Sequence, residues 1–126
     1  MLNEELTLRP GGARKARALI RRRMIDVGVD DDHILAVELV VAELLTAALE
    51  RQAGGDSKSV RLGLQLFPLL TSVRLRCPHP VELGDEDVAL RDRMLGRLTV
   101  AVGQRRNTDG SVDLWAEVAH PVVRAS

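Results

Sequence analysis

The stretch Ile34-Leu35-Ala36-Val37-Glu38-Leu39-Val40-Val41-Ala42-Glu43-Leu44-Leu45-Thr46-Ala47-Ala48-Leu49 decides how this chain is read. It is strongly apolar, holds no Gly or Pro, and is rich in Ala and Leu, so it is a helix. Glu38 and Glu43 interrupt it, and it falls short of the roughly 20 residues a membrane span needs. A buried helix over Ile34 to Arg51 follows, apolar all round and therefore expected to be deeply buried. Asp30, Asp31 and Asp32 ahead of it supply N-cap candidates and negative charge where a helix start favours it, and Gly54-Gly55 stop it.

Working outward, Ala16, Leu19, Ile20, Met24 and Val27 recur at three- and four-residue spacing from Ala13, with Arg14, Arg17, Arg21 and Arg22 mainly on the other side and Gly28 placed as a C-cap. This is a first helix. Before it, Leu6 and Leu8 alternate with polar neighbours over Glu5 to Arg9 and end at Pro10-Gly11-Gly12, a short strand. After the central helix, Val60, Leu62, Leu64 and Leu66 alternate with Arg61, Gly63 and Gln65, and the period resumes as Val73, Leu75 and Cys77 against Arg74 and Arg76. Two adjacent antiparallel strands are expected, with one face apolar and the other wet. Val88, Met94, Leu95, Leu98 and Val102, after the acidic start Asp85-Glu86-Asp87, predict a third helix over Asp85 to Val102. Gln104 to Arg106 and Val112 to Val118 then flank Asn107-Thr108-Asp109-Gly110, a hairpin turn.

The order strand, helix, helix, strand, strand, helix, strand, strand predicts an α+β fold. The expected architecture is a two-layer α/β sandwich, its sheet mixed and mostly antiparallel, with the second and third helices on one face. The length of 126 residues fits one domain. Lys plus Arg and Asp plus Glu each number 18, so the net charge is zero and gives no overall pull toward nucleic acid or an anionic membrane. Phe67 and Trp115 are the only aromatic residues besides histidine, too few for base-stacking platforms on single-stranded nucleic acid. Cys77 alone cannot form an internal disulfide, and no secretory leader pattern opens the chain, so a cytoplasmic location is expected. All but Lys15 and Lys58 of the basic residues are arginine, a bias associated with GC-rich genomes.

Val37-Glu38-Leu39-Val40-Val41-Ala42-Glu43-Leu44-Leu45-Thr46-Ala47-Ala48-Leu49 resembles the second helix of the GHKL (Bergerat-fold) histidine-kinase-like ATPases, in particular the small serine-kinase anti-sigma branch of actinobacteria and bacilli, where it ends Glu-Leu-Val-Thr-Asn-Ala. Val73-Arg74-Leu75-Arg76-Cys77-Pro78-His79-Pro80 sits where that branch carries a strand followed by Arg-Asp-Pro-Ser-Pro. Asp109-Gly110 through Leu114-Trp115-Ala116-Glu117-Val118 is similar to its terminal strand. With the element order, the resemblance spans nearly all of residues 1–126. It implies one domain of this fold in a degenerate form, because the diagnostic letters have changed.

Each change removes a physical function. The family's magnesium-holding asparagine is replaced by Ala47, whose methyl group cannot ligate a hard cation. Its adenine-reading aspartate is replaced by Cys77, a weak acceptor. Its phosphate-approaching glycines match roughly Ala89-Leu90-Arg91-Asp92, which contain none. Glu43, at the general-base position, and Thr46 remain. A base without metal, adenine anchor or phosphate cradle has nothing to act upon, because phosphoryl transfer is mostly positioning and electrostatics. Glu43 is then a vestigial base, and Thr46, Ala47 and Cys77 are remnant ATP-site positions.

The resemblance thus implies a regulatory protein-binding module without cofactor, whose partner is a sigma factor, an anti-sigma antagonist or another transcription regulator. The competing expectation is an active ATP- and magnesium-dependent serine kinase with Glu43 as base. The expected partner surfaces are Arg14, Arg17, Arg21 and Arg22 on the first helix, and Trp115, which alternation places with Ser111, Asp113 and Glu117 away from Val112, Leu114, Ala116 and Val118. Blander readings stand beside these. Glu43, and Glu38 likewise, are solvent-facing or salt-bridged, with Arg74 or Arg76 as the candidate partner. Cys77 is a small buried core residue. The arginines form a solvated face diluted by Asp26, Asp30, Asp31 and Asp32. Trp115 is covered by a terminal segment or a dimer mate, and a homodimer through the first helix or the sheet edge is compatible with the family. Direct DNA binding through the first helix is a third, weaker reading. His33, His79 and His120 have no zinc spacing with Cys77.

Overall fold

A computed structural model describes residues 2–8, 12–50, 58–77 and 99–120. In chain order the elements are β1 (Leu2–Leu8), α1 (Gly12–Asp26), α2 (Asp31–Glu50), β2 (Lys58–Leu66), β3 (Leu70–Cys77), β4 (Ala101–Arg106) and β5 (Val112–Ala119).

Local chemistry sets the helix ends. Gly28 adopts a left-handed φ of 79°, its N–H donates to the Ile25 carbonyl at 3.0 Å, and the Val29 N–H donates to the Met24 carbonyl at 3.0 Å. This paired arrangement closes α1 and turns Val29 back onto the core, a conformation a side chain at position 28 would strain. Asp30 caps α2: its carboxylate accepts from the Asp32 N–H at 3.2 Å, and its carbonyl takes the first helical bond, from Ile34.

The five strands lie in the order β1-β2-β3-β5-β4, and all four pairings are antiparallel. The expectation of a mixed sheet is therefore corrected for the described residues. Two hairpins, β2–β3 and β4–β5, and the return of β1 alongside β2 each need only a reversal of direction, and no parallel crossover enters. In the β4–β5 hairpin the Gly110 N–H donates to Asn107, the Asn107 N–H donates to Ser111, and Gly110 takes a φ of 88°. That is the turn the Asn-Thr-Asp-Gly run predicts.

Alternation sets the layers. Val60, Leu62, Leu64, Val73, Leu75, Leu114, Ala116 and Val118 are buried on one face of the sheet, against Ala16, Ile20 and Met24 of α1 and Ile34, Val37, Val41, Leu44, Leu45 and Ala48 of α2. Arg21 ties the two helices on their outer side, donating to Asp31 at 2.7 Å and to the buried Glu38.

Four expectations change. The first strand starts at Leu2 instead of Glu5. Helices α1 and α2 cover the sheet; most of the predicted third helix lies outside the described residues, and its last two residues, Ala101 and Val102, open β4 instead. Pairing with β5, where Val102 faces Ala116, overrides the helical spacing of Leu98 and Val102. Finally, α2 is not buried all round. Leu35 and Leu39, four residues apart, are 50% and 45% exposed.

Candidate functional site

The positions expected from the resemblance to be remnants of an ATP site, Glu43, Thr46, Ala47 and Cys77, lie along α2 and at the end of β3. Glu43 is half-buried, and Thr46 is exposed, its hydroxyl donating to the Ala42 carbonyl at 2.8 Å, a bond that satisfies it within the helix. Ala47 and Cys77 are buried in the shared apolar core. A methyl group and a buried thiol offer no oxygen to magnesium and no strong acceptor to an adenine amino group, so these two positions do not fit magnesium-ATP. The pairing expected of Glu38 and Glu43 with Arg74 or Arg76 is corrected in part: Glu38 takes Arg21, while Arg76 donates through Nε at 2.9 Å and Nη2 at 3.2 Å to Asp113 on the opposite, open face of the sheet. Alternation along β3 places Arg74 on that face too. The glycine-free stretch matched to the phosphate lid, Ala89 to Asp92, lies outside the described residues.

Of the first-helix arginines, Arg14, Arg17 and Arg22 are exposed, while Arg21 is half-buried and engaged with Asp31 and Glu38. Those two carboxylates, Glu38 more than Asp31, hold the Arg21 guanidinium above its ordinary range. Arg21 is thus a seam residue between helices. On the same two helices, Leu35 and Leu39 of α2 and Ile25 of α1 are exposed, the last by 55%. The exposed residues of α1 are therefore mainly basic, and those of α2 set Leu35 and Leu39 among Asp31, Asp32 and Thr46.

Trp115 stands on the open face of the sheet as alternation predicts, and it is half-buried there. Its indole lies across Gly103 of the neighbouring strand, where a Cβ would meet Cζ2 at 2.5 Å. The registers set Arg61, Arg76, Asp113 and Arg105 in one row across this face, and Gly63, Arg74, Trp115 and Gly103 in the next. Burial pushes the Asp113 carboxyl up, but its bonds from Arg76 and Asn107 outweigh burial and hold it below the usual carboxylate range. At the adjoining turn, the Ser111 hydroxyl and N–H both donate to Asp109, at 2.6 and 2.9 Å, and lower its pKa as well.

No family model matches the chain, and no curated protein matches it either. No described helix is long and apolar enough to cross a membrane, and among the described residues no three His, Cys, Asp or Glu side chains are placed to share a metal ion. His79 lies outside them.

Sequence reading missed one buried polar cluster. His33, in the first turn of α2, places Nε2 2.7 Å from the Thr71 hydroxyl of β3, and that hydroxyl lies 3.4 Å from Nε2 of His120 just beyond β5. The two imidazoles stack with centroids 3.8 Å apart. His33 Nδ1 is buried without a partner. An unprotonated Nδ1 leaves only a lone pair unmet, so the favoured tautomer donates from His33 Nε2 to Thr71, whose own proton goes to His120. Burial first, and the neighbouring His120 second, lower the His33 pKa to about 4. Nothing in the sequence spacing of residues 33, 71 and 120 announces this contact.

Proposed function

We propose that the chain is a regulatory protein-binding module, a degenerate relative of the GHKL anti-sigma branch that has lost nucleotide chemistry and acts by binding a transcription-regulatory protein. The observation that carries this reading is that the two packed helices expose the apolar Ile25, Leu35 and Leu39 together with the basic Arg14, Arg17 and Arg22. Clustered apolar exposure beside a charged rim is how monomeric domains present a docking surface. The complement is an acidic amphipathic helix, as a sigma factor, an anti-sigma antagonist or another regulator would offer. The element order strand, helix, helix, strand, strand and a closing hairpin supports kinship with the Bergerat fold. Ala47 and Cys77 in the core support the loss of ATP binding, because both working positions now contribute to packing instead.

The test is affinity capture from the native cytosol with the full chain as bait. A transcription-regulatory protein should be retained by the wild type and lost with Arg14→Glu/Arg17→Glu, since reversing two exposed charges at a charged rim turns attraction into repulsion. Capture of the same regulator by both baits would overturn the assigned surface.

A further inference from the structure

We infer that the open face of the sheet carries a small-molecule site for a planar aromatic carboxylate, seated on the Trp115 indole between the guanidinium groups of Arg74 and Arg105. The site is a shallow concavity of about 320 Å³ lined by Ser72, Arg74, Arg76, Arg105, Asn107, Asp113, Trp115 and Glu117, at the lower end of the size range of small-ligand sites.

Its parts divide into a floor and a charge pattern. The floor is the indole, which rests against the sheet only because residue 103 has no side chain: a Cβ there would come within 2.5 Å of Cζ2 and 2.8 Å of Cε2. The space at Gly103 is thus taken by the indole, and the half-buried Trp115 also lines the concavity. An indole held flat is a stacking platform for another planar ring. The charge pattern comes from register. Arg74 is the direct cross-strand neighbour of Trp115 on β3, Arg105 lies two residues along β4 from Gly103, and both arginines line the concavity with the indole.

Arg76 is already engaged, with both Asp113 oxygens taking its donors. Arg74 and Arg105 make no hydrogen bond or ion pair to any described side chain. Against Asp113 and Glu117, the three lining arginines leave one cation in excess. A monocarboxylate neutralises that excess and accepts from a planar donor fork, whereas a phosphate dianion would overcompensate it beside Glu117.

Trp115 is the only tryptophan in a chain without tyrosine, so its emission reports this face alone. The full chain is titrated with sodium nicotinate, with nicotinamide as the uncharged ring and inorganic phosphate as the ringless anion. The expected result is a saturable change of Trp115 emission with half-saturation below about 1 mM. Affinity should fall about tenfold for nicotinamide, and by at least about tenfold in Arg74→Gln/Arg105→Gln, whose exposed substitutions leave the melting temperature unchanged. Gly103→Ala, which lifts the indole off the sheet, should weaken binding as well. The inference is overturned by the absence of a saturable response up to about 10 mM nicotinate, by an equal response to nicotinamide or to phosphate, or by undiminished affinity in the double arginine variant.

Discussion

Lowering the pH from 7.5 to 4 is expected to remove about 3 kcal/mol of folding stability through His33 alone. The ring ionises near pH 4 when folded and near 6.5 when unfolded, so the unfolded chain binds the proton more readily. The stabilisation is fully present above pH 6.5 and is lost as the pH falls toward the folded value. The structural cause is direct. A proton on the buried Nδ1 has no acceptor, and the charge sits against the stacked His120. Asp30 offsets it in part from the helix start. Asp109 and Asp113 have pKa values held below the ordinary 3.8, so they add little to the slope over this range. Urea unfolding at pH 7.5, 6 and 4.5 checks the expectation, and in His33→Leu the dependence should flatten while Thr71 keeps His120 as a partner. A wild-type stability that is flat between pH 7.5 and 4.5, or a slope that persists in the variant, would contradict it.

The second large effect belongs to the proposed docking surface. Leu35→Asp/Leu39→Asp is expected to weaken binding to the captured regulator by at least about 100-fold, since apolar anchors at an interface centre carry most of its energy. The same change should leave the fold standing. Both side chains are about half-exposed, and aspartate within a helix costs on the order of 0.5 kcal/mol per site in propensity. Circular dichroism verifies the fold and calorimetry with the purified regulator measures the affinity. Equal affinity in the variant would place the contact elsewhere.

Much of the fold was legible because its signals are local. The period-two runs of β2 and β3 needed only the next residue but one, and Ala16, Ile20 and Met24 marked the buried face of α1 by their spacing. The hairpin could be read from four turn residues. Features that depend on distant parts of the chain were harder to read. The insertion of β5 between β3 and β4 depends on which strand completes the sheet, and no single run of residues encodes that. The same holds for the His33, Thr71 and His120 cluster, whose members come from α2, β3 and the end of β5.

Apolar composition was also ambiguous. A helix apolar on every side suggests deep burial, yet Leu35 and Leu39 remain open to solvent, because hydrophobicity alone does not say which side of a helix meets the sheet. At the candidate site, the chemistry of Ala47 and Cys77, a methyl group and a thiol without an oxygen ligand, could be read from the sequence directly. The flat seat of Trp115 could not, since it rests on the pairing of residue 115 with Gly103 in the neighbouring strand.

Calorimetric titration of the full chain with ATP and magnesium tests most directly whether the nucleotide site has been given over to packing. The expected result is no saturable, magnesium-dependent heat up to about 5 mM nucleotide. A one-to-one isotherm in the micromolar range that requires magnesium and is lost in Glu43→Ala would contradict the account and restore the kinase reading.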